Sequence, residues 1–253
     1  MLLLSVNRSL YTTNGTPGNA TLVYDFTSVY DISSSSEYPR DFVQIGNYVY
    51  FLVGSTGLNH GLWRTDGTTA GTIPLIERSD APLDILATGD GVLFFKERDD
   101  AGVRLWKTDG TVAGTQMLKS FPLSGPFGTT NIISASFDNG MLWFGVNPLN
   151  ELWRSNGTST GTLKIATFST LPMGYGTQLQ YMLAAGSHAF FTAAETDLTQ
   201  ELWQSDGTSQ GTYLVQNTGL SYSNVTFEGQ LFGRALFNAN HDGAYETWTI
   251  DGT

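Results

Sequence analysis

The sequence predicts an all-β fold, a β-propeller built from four-stranded antiparallel blades. Three observations favour it: a twelve-residue motif recurs along the chain, its period matches the length of one blade, and short apolar segments separated by glycine turns fill each period. Glycine supplies 29 of the 253 residues and aromatic side chains 13%, which is typical of many short strands joined by tight turns.

The repeated motif has four full copies, a degenerate first copy and an incomplete last copy. The full copies begin at Gly61, Arg104, Glu151 and Glu201; the others cover Ser9–Thr16 and Glu246–Thr253. Each contains an Asp-Gly-Thr or Asn-Gly-Thr step. Its glycines are Gly15, Gly67, Gly110, Gly157, Gly207 and Gly252, which are spaced by 52, 43, 47, 50 and 45 residues. A period of this size is typical of a propeller blade.

These copies resemble the ELWxxDGT-repeat family of bacterial proteins. The resemblance covers nearly the whole chain, and it implies propeller-like β repeats in large secreted or surface proteins, with no assigned activity. The terminal copies depart from the pattern, because Tyr11 replaces Trp in the first and Thr247 replaces Leu in the last. We therefore expect the first and last blades to differ from a standard blade.

Each period holds four short segments, which predict strands A to D of a blade. In one period they are Leu83–Ala87, Val92–Lys96, Leu105–Thr108 and Thr115–Phe121. The second segment is the most apolar in most copies, and Leu231-Phe232 takes that place in the last repeat. A continuous apolar run suits a central strand that neighbouring blades cover on both faces.

The motif residues have structural interpretations. Leu and Trp follow one another on a strand and point in opposite directions, so at least one faces a neighbouring blade. Asp-Gly or Asn-Gly predicts a tight turn in which Gly takes a positive φ and the Asp or Asn oxygen accepts backbone N–H bonds. The exchange of Asp for Asn at Asn14 and Asn156 indicates a turn acceptor rather than a catalytic carboxylate. The second Gly-Thr predicts a bulge or a second turn.

The number of blades follows from where the chain enters the pattern. Met1–Asn7 aligns with Met141–Asn147, so the chain starts at a strand B and ends at a strand C. This reading gives 22 strands, against 20 for five closed blades and 24 for six. Six blades, with strand A missing from the first and D from the last, are favoured over five, and a cut from a longer array is a third option. We predict one propeller domain over residues 1–253.

Charge and composition exclude several classes of partner. Twelve Lys and Arg against 23 Asp and Glu give a net charge of −11, which argues against nucleic acid and anionic membranes. The absence of Cys excludes disulfides, thiolate metal sites and a Cys nucleophile. No apolar run approaches about 18 residues, so no membrane insertion is expected. The composition favours an extracellular or cell-surface location, with any signal peptide outside this chain.

Catalytic patterns are weak. Gly157–Gly161 and Gly207–Gly211 match G-x-S-x-G, but a nucleophile elbow opens a helix, whereas strands are predicted on both sides here. The predicted A strands carry only Asp84 and Asp138, at differing positions. We therefore expect no catalytic residue and no enzyme, although a carboxylate-based carbohydrate-active enzyme is an alternative.

The metal candidates are few. His60, His188 and His241 lack the spacing of a zinc site. A partial calcium-loop pattern is formed by Asn238, Asn240, Asp242 and Glu246. Thr249 stands where that pattern needs a Glu, and an ordinary hairpin loop is the alternative interpretation. Apart from weak calcium binding, no cofactor is expected.

The functional prediction is a non-catalytic recognition or adhesion module that binds glycan or an extracellular protein through propeller loops. The motif aromatics would either stack on sugars, as in a lectin, or fill the gaps between blades. They are Tyr11, Trp63, Trp106, Trp153, Trp203 and Trp248. A passive structural spacer in a large surface protein is the alternative function. The ligand and the oligomeric state stay open.

Overall fold

A computed structural model describes residues 2–28, 38–55, 58–77, 81–124, 130–168, 179–193, 200–217, 220–221 and 223–252. Across these ranges the protein is all-β, with 24 strands and one short 3-10 turn, and its sheets are antiparallel. Within the same ranges, no helix has the length and apolar character needed to cross a bilayer.

Three sheets come from the first half of the chain. The first sheet contains β1 (Leu2–Val6), β2 (Ser9–Thr13) and β3 (Thr21–Asp25), and a 3-10 turn at Phe26–Ser28 follows it. The second sheet contains β4 (Tyr38–Ile45), β5 (Tyr48–Ser55), β6 (Leu58–Thr65) and β7 (Ile73–Glu77). The third sheet contains β8 (Leu83–Gly89), β9 (Val92–Asp99), β10 (Gly102–Thr108) and β11 (Gln116–Pro122).

The remaining strands form the second half of the fold. The fourth sheet contains β12 (Asn131–Asp138), β13 (Met141–Asn147), β14 (Glu151–Ser155) and β15 (Thr162–Thr167). The fifth sheet contains β16 (Leu179–Ala185), β17 (His188–Ala193), β18 (Glu201–Ser205) and β19 (Thr212–Leu214). A two-stranded ribbon contains β20 (Gln216–Asn217) and β21 (Leu220–Ser221). The last sheet contains β22 (Ser223–Leu231), β23 (Arg234–His241) and β24 (Ala244–Ile250), and a single residue pair, Glu201 with Ser223, joins β18 to β22.

The predicted order of strands is confirmed. The second to fifth sheets each run A, B, C, D in chain order, the first sheet consists of strands B to D, and the last sheet consists of strands A to C. Each of the A strands β4, β8, β12 and β16 also has a register shift against its B strand. Such a shift is the mark of a β-bulge, which increases local twist.

The prediction for the last repeat is wrong in one place. Leu231-Phe232 was predicted as the second strand, but Phe232 and Gly233 form the turn before β23, with φ of 52° and 75°. The register of β22 shifts between Phe227 and Gly229, so strand A runs longer and the turn falls later than in the other repeats. Leu231 is therefore the last residue of strand A and Phe232 the first residue of the turn, although their apolar character resembles that of a strand B.

The described chain divides into two compact units, Met1–Asp100 with Arg104–Met117, and Ala101–Val103 with Leu118–Thr253. Within each unit, the core lies between successive sheets. Leu62 packs toward the following sheet, whereas the adjacent Trp63 packs on the preceding one. Leu202 and Trp203 repeat this arrangement in the second unit. Motif Leu and Trp therefore serve two different interfaces, as their opposite directions on the strand predict.

Candidate functional site

The motif tryptophans of the second, fourth and fifth sheets lie in the core. Trp63 is 1% exposed, and Trp153 and Trp203 are each 8% exposed. Each indole meets a Phe from the end of the preceding sheet edge to face. The pairs are Trp63–Phe26, Trp153–Phe121 and Trp203–Phe168, with ring centroids 5.1, 5.1 and 5.2 Å apart. These indoles fill the space between sheets, so they do not offer a face on which a sugar could stack.

The phenylalanine partners were not identified from the sequence, although a signal was present. Phe26, Phe121 and Phe168 each lie eleven residues after a motif glycine. The same three rings also contact an aromatic residue on strand B of the following sheet. A Phe at or just after the end of strand D thus packs into each of these three interfaces.

The motif turns satisfy their own polar groups. In the third sheet, Asp109 Oδ1 accepts from the Thr111 backbone N–H at 2.9 Å and from the Thr111 hydroxyl at 2.7 Å. Thr111 Oγ1 in turn accepts the N–H of Gly114 at 2.8 Å. These bonds to Thr111 hold the pKa of the Asp109 carboxyl below its usual value. The Asp109 carboxylate therefore acts as a hydrogen-bond acceptor within the turn rather than as a ligand-binding group.

The same bonds recur in the sister turns. Asp66, Asn156 and Asp206 bond the Thr two residues later in the same way. The amide oxygen of Asn156 replaces a carboxylate oxygen without loss of a bond, which confirms that this position is a turn acceptor. The pKa values of Asp66 and Asp206 are lowered for the same reason, by their threonine partners.

The turn glycines are favoured by their positive φ, and two of them also lie close to a side chain of the preceding sheet. Gly110 and Gly207 have φ near 90°, and both lie against a side chain of the preceding sheet. A Cβ on Gly110 would lie 2.4 Å from Tyr50 Oη, and one on Gly207 would lie 2.2 Å from Arg154 Nη1. The residue after the motif Trp, here Arg154, therefore packs against the next turn.

The G-x-S-x-G matches are turns, as expected. Both lie between strands C and D, at β14–β15 and at β18–β19, and neither opens a helix. Of the histidines, His188 Nδ1 lies 3.1 Å from the hydroxyl of Ser187, and His241 meets Trp248 edge to face at 5.4 Å. His60 lies on β6, and its side chain falls outside the described residues. The contact between Ser187 and His188 lies outside both matches, at the turn between β16 and β17.

The calcium candidates lie on and beside a strand pair rather than in a loop. Asn238 and Asn240 belong to β23, and Asp242 begins the two-residue turn to β24. Asn238 is already bonded, donating to Glu228 at 2.7 Å and accepting from Thr247 at 2.6 Å. Glu246 is paired with Ala239, the residue between the two asparagines, so its side chain lies on the opposite face.

The four residues are thus not brought to one face, which corrects the predicted loop. Calcium binding itself stays a prediction. Among the described residues, no group of three or more His, Cys, Asp or Glu side chains lies together in a way that could hold a metal ion.

The two A-strand aspartates have structural partners. Asp138 Oδ2 accepts the N–H of Gly186 at 2.7 Å, which ties strand A of the fourth sheet to strand A of the fifth. Asp84 lies 3.6 Å from Lys96 on the neighbouring strand. Burial lowers the pKa of Lys96, and Asp84 opposes that shift. The two carboxylates are each engaged separately, and neither is paired with another acid as a glycosidase site requires.

The third sheet contains a buried carboxylate, Glu97, which the sequence suggested as part of an acidic loop but which lies on strand β9. Glu97 is 1% exposed, accepts from Trp106 Nε1 at 3.0 Å and lies 3.3 Å from Arg104. Arg104 also contacts Asp99 at 2.5 Å. The buried charge is therefore paired and hydrogen-bonded, as a structural ion pair must be.

The outer face of the first sheet is apolar and exposed. Leu4, Tyr11 and Leu22 are directly opposite one another across its three strands, and therefore share one face. Leu2 and Val6 flank Leu4 on that face. The exposed fractions of Leu2, Leu4, Val6 and Leu22 are 58, 41, 50 and 49%. Tyr11 is the motif aromatic of this sheet, so this is the face that a preceding sheet covers elsewhere in the fold.

The outer face of the last sheet has the opposite character. Thr247 occupies the motif Leu position and bonds Asn238, while Tyr245 pairs with Asn240 and contacts Thr226. The four motif leucines Leu62, Leu105, Leu152 and Leu202 are all 0% exposed. The face that normally receives a following sheet is therefore polar here. The exposed apolar exceptions include Leu231, which pairs with Arg234 on this face and is 51% exposed, and Phe232, which is 96% exposed at the turn before β23.

No protein-family model and no curated protein sequence matches the chain. It is similar to solved structures of β-propeller proteins, including a puromycin hydrolase with 16% identity, a TM-score of 0.45, and coverage of 81% of this chain and 33% of that chain. The nidogen/laminin complex gives 15% identity, a TM-score of 0.41 and coverages of 80% and 73%. TolB from Acinetobacter baumannii gives 8% identity, a TM-score of 0.44 and coverages of 94% and 58%. The chain spans about a third of the puromycin hydrolase chain.

The expectation that the chain is not an enzyme is contradicted, because an enzyme, the puromycin hydrolase, is among the similar structures. Absence of a catalytic motif was not a sufficient basis for that prediction. At 16% identity the similarity concerns the fold alone. It assigns neither the hydrolase activity nor its catalytic residues to this chain.

Proposed function

We propose that this chain is a protein-binding module that holds its partner through the outer face of the first sheet. One observation carries the proposal: Leu2, Leu4, Val6 and Leu22 form a contiguous apolar face with exposed fractions of 41 to 58%. Contiguous exposed apolar side chains mark interaction sites, whereas scattered ones do not.

The sister sheets indicate the chemistry of the partner. The equivalent face of the second sheet, which carries Trp63, is covered by Val23 and Phe26. That of the fifth sheet, which carries Trp203, is covered by Phe168. By analogy, the partner presents branched and aromatic side chains on a flat surface, such as the face of another β-sheet.

The finer architecture belongs to the same proposal. We propose that the six sheets are blades of a propeller-type array that leaves the outer face of the first sheet uncovered, supported by their common strand order, by the packing of successive sheets within each unit and by the exposure of Leu4 and Leu22. Membership of the ELWxxDGT-repeat family and an extracellular or cell-surface location are also proposals, and both rest on the six motif copies.

A matched capture experiment tests the function. Wild-type protein, Leu22→Asp and Thr247→Asp are immobilised separately and exposed to a cell-envelope extract of the source organism. Both substitutions place one carboxylate on an exposed outer face, but on opposite terminal sheets. We expect a protein that wild type and Thr247→Asp retain and Leu22→Asp loses. Equal retention by Leu22→Asp, or no retained protein as a passive spacer predicts, would contradict the proposal.

A further inference from the structure

The chain contains three Asn-Gly steps, and the structure places them in two kinds of turn. Asn14-Gly15 and Asn156-Gly157 belong to motif turns, whereas Asn139-Gly140 forms the two-residue turn between β12 and β13. In such a step the glycine nitrogen can attack the amide carbon of the Asn side chain, since glycine has no Cβ to obstruct the approach. The three steps offer the same reacting atoms, so the hydrogen bonds around them decide which one reacts.

The motif step at Asn156 is held at both reacting groups. The Gly157 N–H donates to Ser155 Oγ at 3.1 Å, and Gly157 and Ser155 are both buried. Asn156 Oδ1 accepts from the backbone N–H of Thr158 at 3.1 Å and from its hydroxyl at 2.7 Å. Attack would require Gly157 to release Ser155 and the Asn156 carboxamide to release Thr158. The bonds of the motif turn therefore protect Asn156.

The motif step at Asn14 has similar bonds in a more exposed place. The Gly15 N–H donates to Thr13 Oγ1 at 3.1 Å, and Asn14 Oδ1 accepts the N–H of Thr16 at 2.9 Å. Asn14 and Gly15 are both exposed. Because bonds at the surface open to water more readily than buried ones, we expect weaker protection here than at Asn156.

The hairpin step lacks these restraints. Asn139 and Gly140 are exposed, with φ of 47° and 74°, and the closing pair of their turn is Asp138 with Met141. Among the described residues, neither the Gly140 N–H nor the Asn139 side chain has a hydrogen-bond partner. The two reacting groups can therefore meet without the loss of a bond to any described residue.

We propose that Asn139 is a site of spontaneous deamidation in the folded protein, with water as the co-reactant. The Gly140 nitrogen forms a bond to Asn139 Cγ, the bond from Cγ to Nδ2 breaks, and Nδ2 leaves as ammonia with the proton of the Gly140 N–H. Water then opens the resulting succinimide ring. Cleavage of the new bond between nitrogen and Cγ gives aspartate, and cleavage of the original peptide bond gives isoaspartate.

Both products change the turn next to a contact between two sheets. Asp138, the preceding residue, accepts the N–H of Gly186 and so links β12 to β16. Either product adds a carboxylate beside Asp138, and isoaspartate also lengthens the main chain of the turn. Deamidation at Asn139 is therefore placed to alter how strand A of the fourth sheet meets strand A of the fifth.

Peptide mapping by mass spectrometry tests the proposal on the wild-type protein. Folded protein is incubated in a mildly alkaline buffer, and conversion is followed at all three steps, with guanidinium-unfolded protein as the reference. In the folded protein Asn139 should convert about tenfold or more faster than Asn156, with Asn14 between them, because the motif bonds add to the barrier. In guanidinium the three rates should converge. Equal rates at Asn139 and Asn156 in the folded protein, or a difference that persists after unfolding, would overturn the proposal.

A variant that moves the step into another hairpin provides a gain of reaction. Phe232→Asn creates an Asn-Gly step in the two-residue turn closed by Leu231 and Arg234, where φ is 52° and 75° at positions 232 and 233. Because this turn has nearly the geometry of the Asn139 turn, position 232 should deamidate about as fast as Asn139. A Phe232→Asn protein that is folded by circular dichroism and does not convert at position 232 would overturn the proposal.

The matched control places the same step in a motif turn. Asp109→Asn creates an Asn-Gly step at Gly110, whose N–H donates to Thr108 Oγ1 at 3.0 Å. Position 109 should therefore be protected to the same degree as Asn156. Conversion at position 109 as fast as that at position 232 of Phe232→Asn would show that the motif bonds give no protection, and would also overturn the proposal.

Discussion

The first and last sheets of this protein end the same repeat with opposite chemistry. The first exposes Leu4 and Leu22 beside the half-buried Tyr11 on its outer face, whereas on the last the exposed Thr247 bonds the half-buried Asn238. In repeat proteins, a polar outer face on a terminal repeat is what keeps that end free of further association. The two faces therefore differ in kind: exposed aliphatic side chains cover the first, whereas hydrogen-bonded polar side chains cover much of the last.

The largest loss of stability is expected where a side chain of the preceding sheet covers the motif aromatic residue. Phe168→Ala removes the ring that contacts Trp203 and Phe191, and should lower the free energy of unfolding by about 3–5 kcal/mol. Tyr11→Ala alters the equivalent face that is not covered, and should cost less than about 1 kcal/mol. Urea denaturation of both variants measures the difference. Similar losses would mean that the first sheet's face is covered too.

Substitutions at the motif leucine position give a second, smaller difference in stability between a covered and an exposed sheet face. Leu202 is 0% exposed, so Leu202→Thr should cost about 2–4 kcal/mol through lost packing and a buried hydroxyl. The reverse substitution, Thr247→Leu, should change the free energy of unfolding by about 0.5 kcal/mol or less, since its site is exposed. A marked stabilisation by Thr247→Leu, measured by thermal denaturation, would argue against the polar character of this end.

We expect the Asp or Asn side chain of the motif turn to contribute similarly to stability in every sheet where it makes the same bonds. Asp109→Ala loses two hydrogen bonds to Thr111 and should cost about 1–2 kcal/mol, while Asp109→Asn should cost little, since Asn156 makes the same bonds in its sister turn. An Asp109→Asn protein as unstable as Asp109→Ala would contradict the acceptor role.

The lowered pKa of Asp109 in the turn also predicts how the stability of the protein depends on acidic pH. The pKa of Asp109 is lower in the folded chain than in the unfolded one, so its stabilisation is complete above the unfolded pKa of about 3.9 and is lost as the pH falls through the folded value. Wild-type stability should therefore decline more steeply than that of Asp109→Asn below about pH 4. Denaturant titrations at several acidic pH values measure the two slopes, and parallel slopes would contradict the assignment.

A small gain in stability is expected at Phe232, an exposed apolar residue of the last sheet. Its φ of 52° is unfavourable for a bulky residue and its side chain is 96% exposed. Phe232→Asn should therefore stabilise the protein by about 0.5–1 kcal/mol, because Asn tolerates this conformation. A loss of stability in urea denaturation would show that the Phe232 ring makes a contact in the folded chain.

Much of the architecture could be predicted because the repeat itself encodes it. The order of strands, the Asp-Gly turns and the opposite directions of Leu and Trp all follow from local rules, and the structure confirms them at Leu62, Trp63 and Asp109. The strand prediction for the last repeat was wrong, because a register shift in β22 places the turn at Phe232. A shift of this kind depends on pairing across strands, which no local pattern records.

The candidate site could not be predicted in the same way. Leu2, Leu4 and Leu22 are ordinary strand residues in sequence, and only their exposure in the folded structure identifies them as a surface. Likewise, Asn238 and Glu246 matched a calcium pattern because their spacing was read as a loop, whereas a strand places them on opposite faces. Which residues are exposed, and on which face of a sheet they lie, depends on how the strands pair and pack. Residue spacing alone does not determine either.

Site-specific cross-linking tests the central claim most directly. A photoreactive phenylalanine is placed at position 22 on the first sheet or at position 247 on the last, and each protein is irradiated with the cell-envelope extract. The account predicts a cross-linked protein from position 22 and none from position 247. Cross-links from position 247 alone, or from both positions equally, would contradict it.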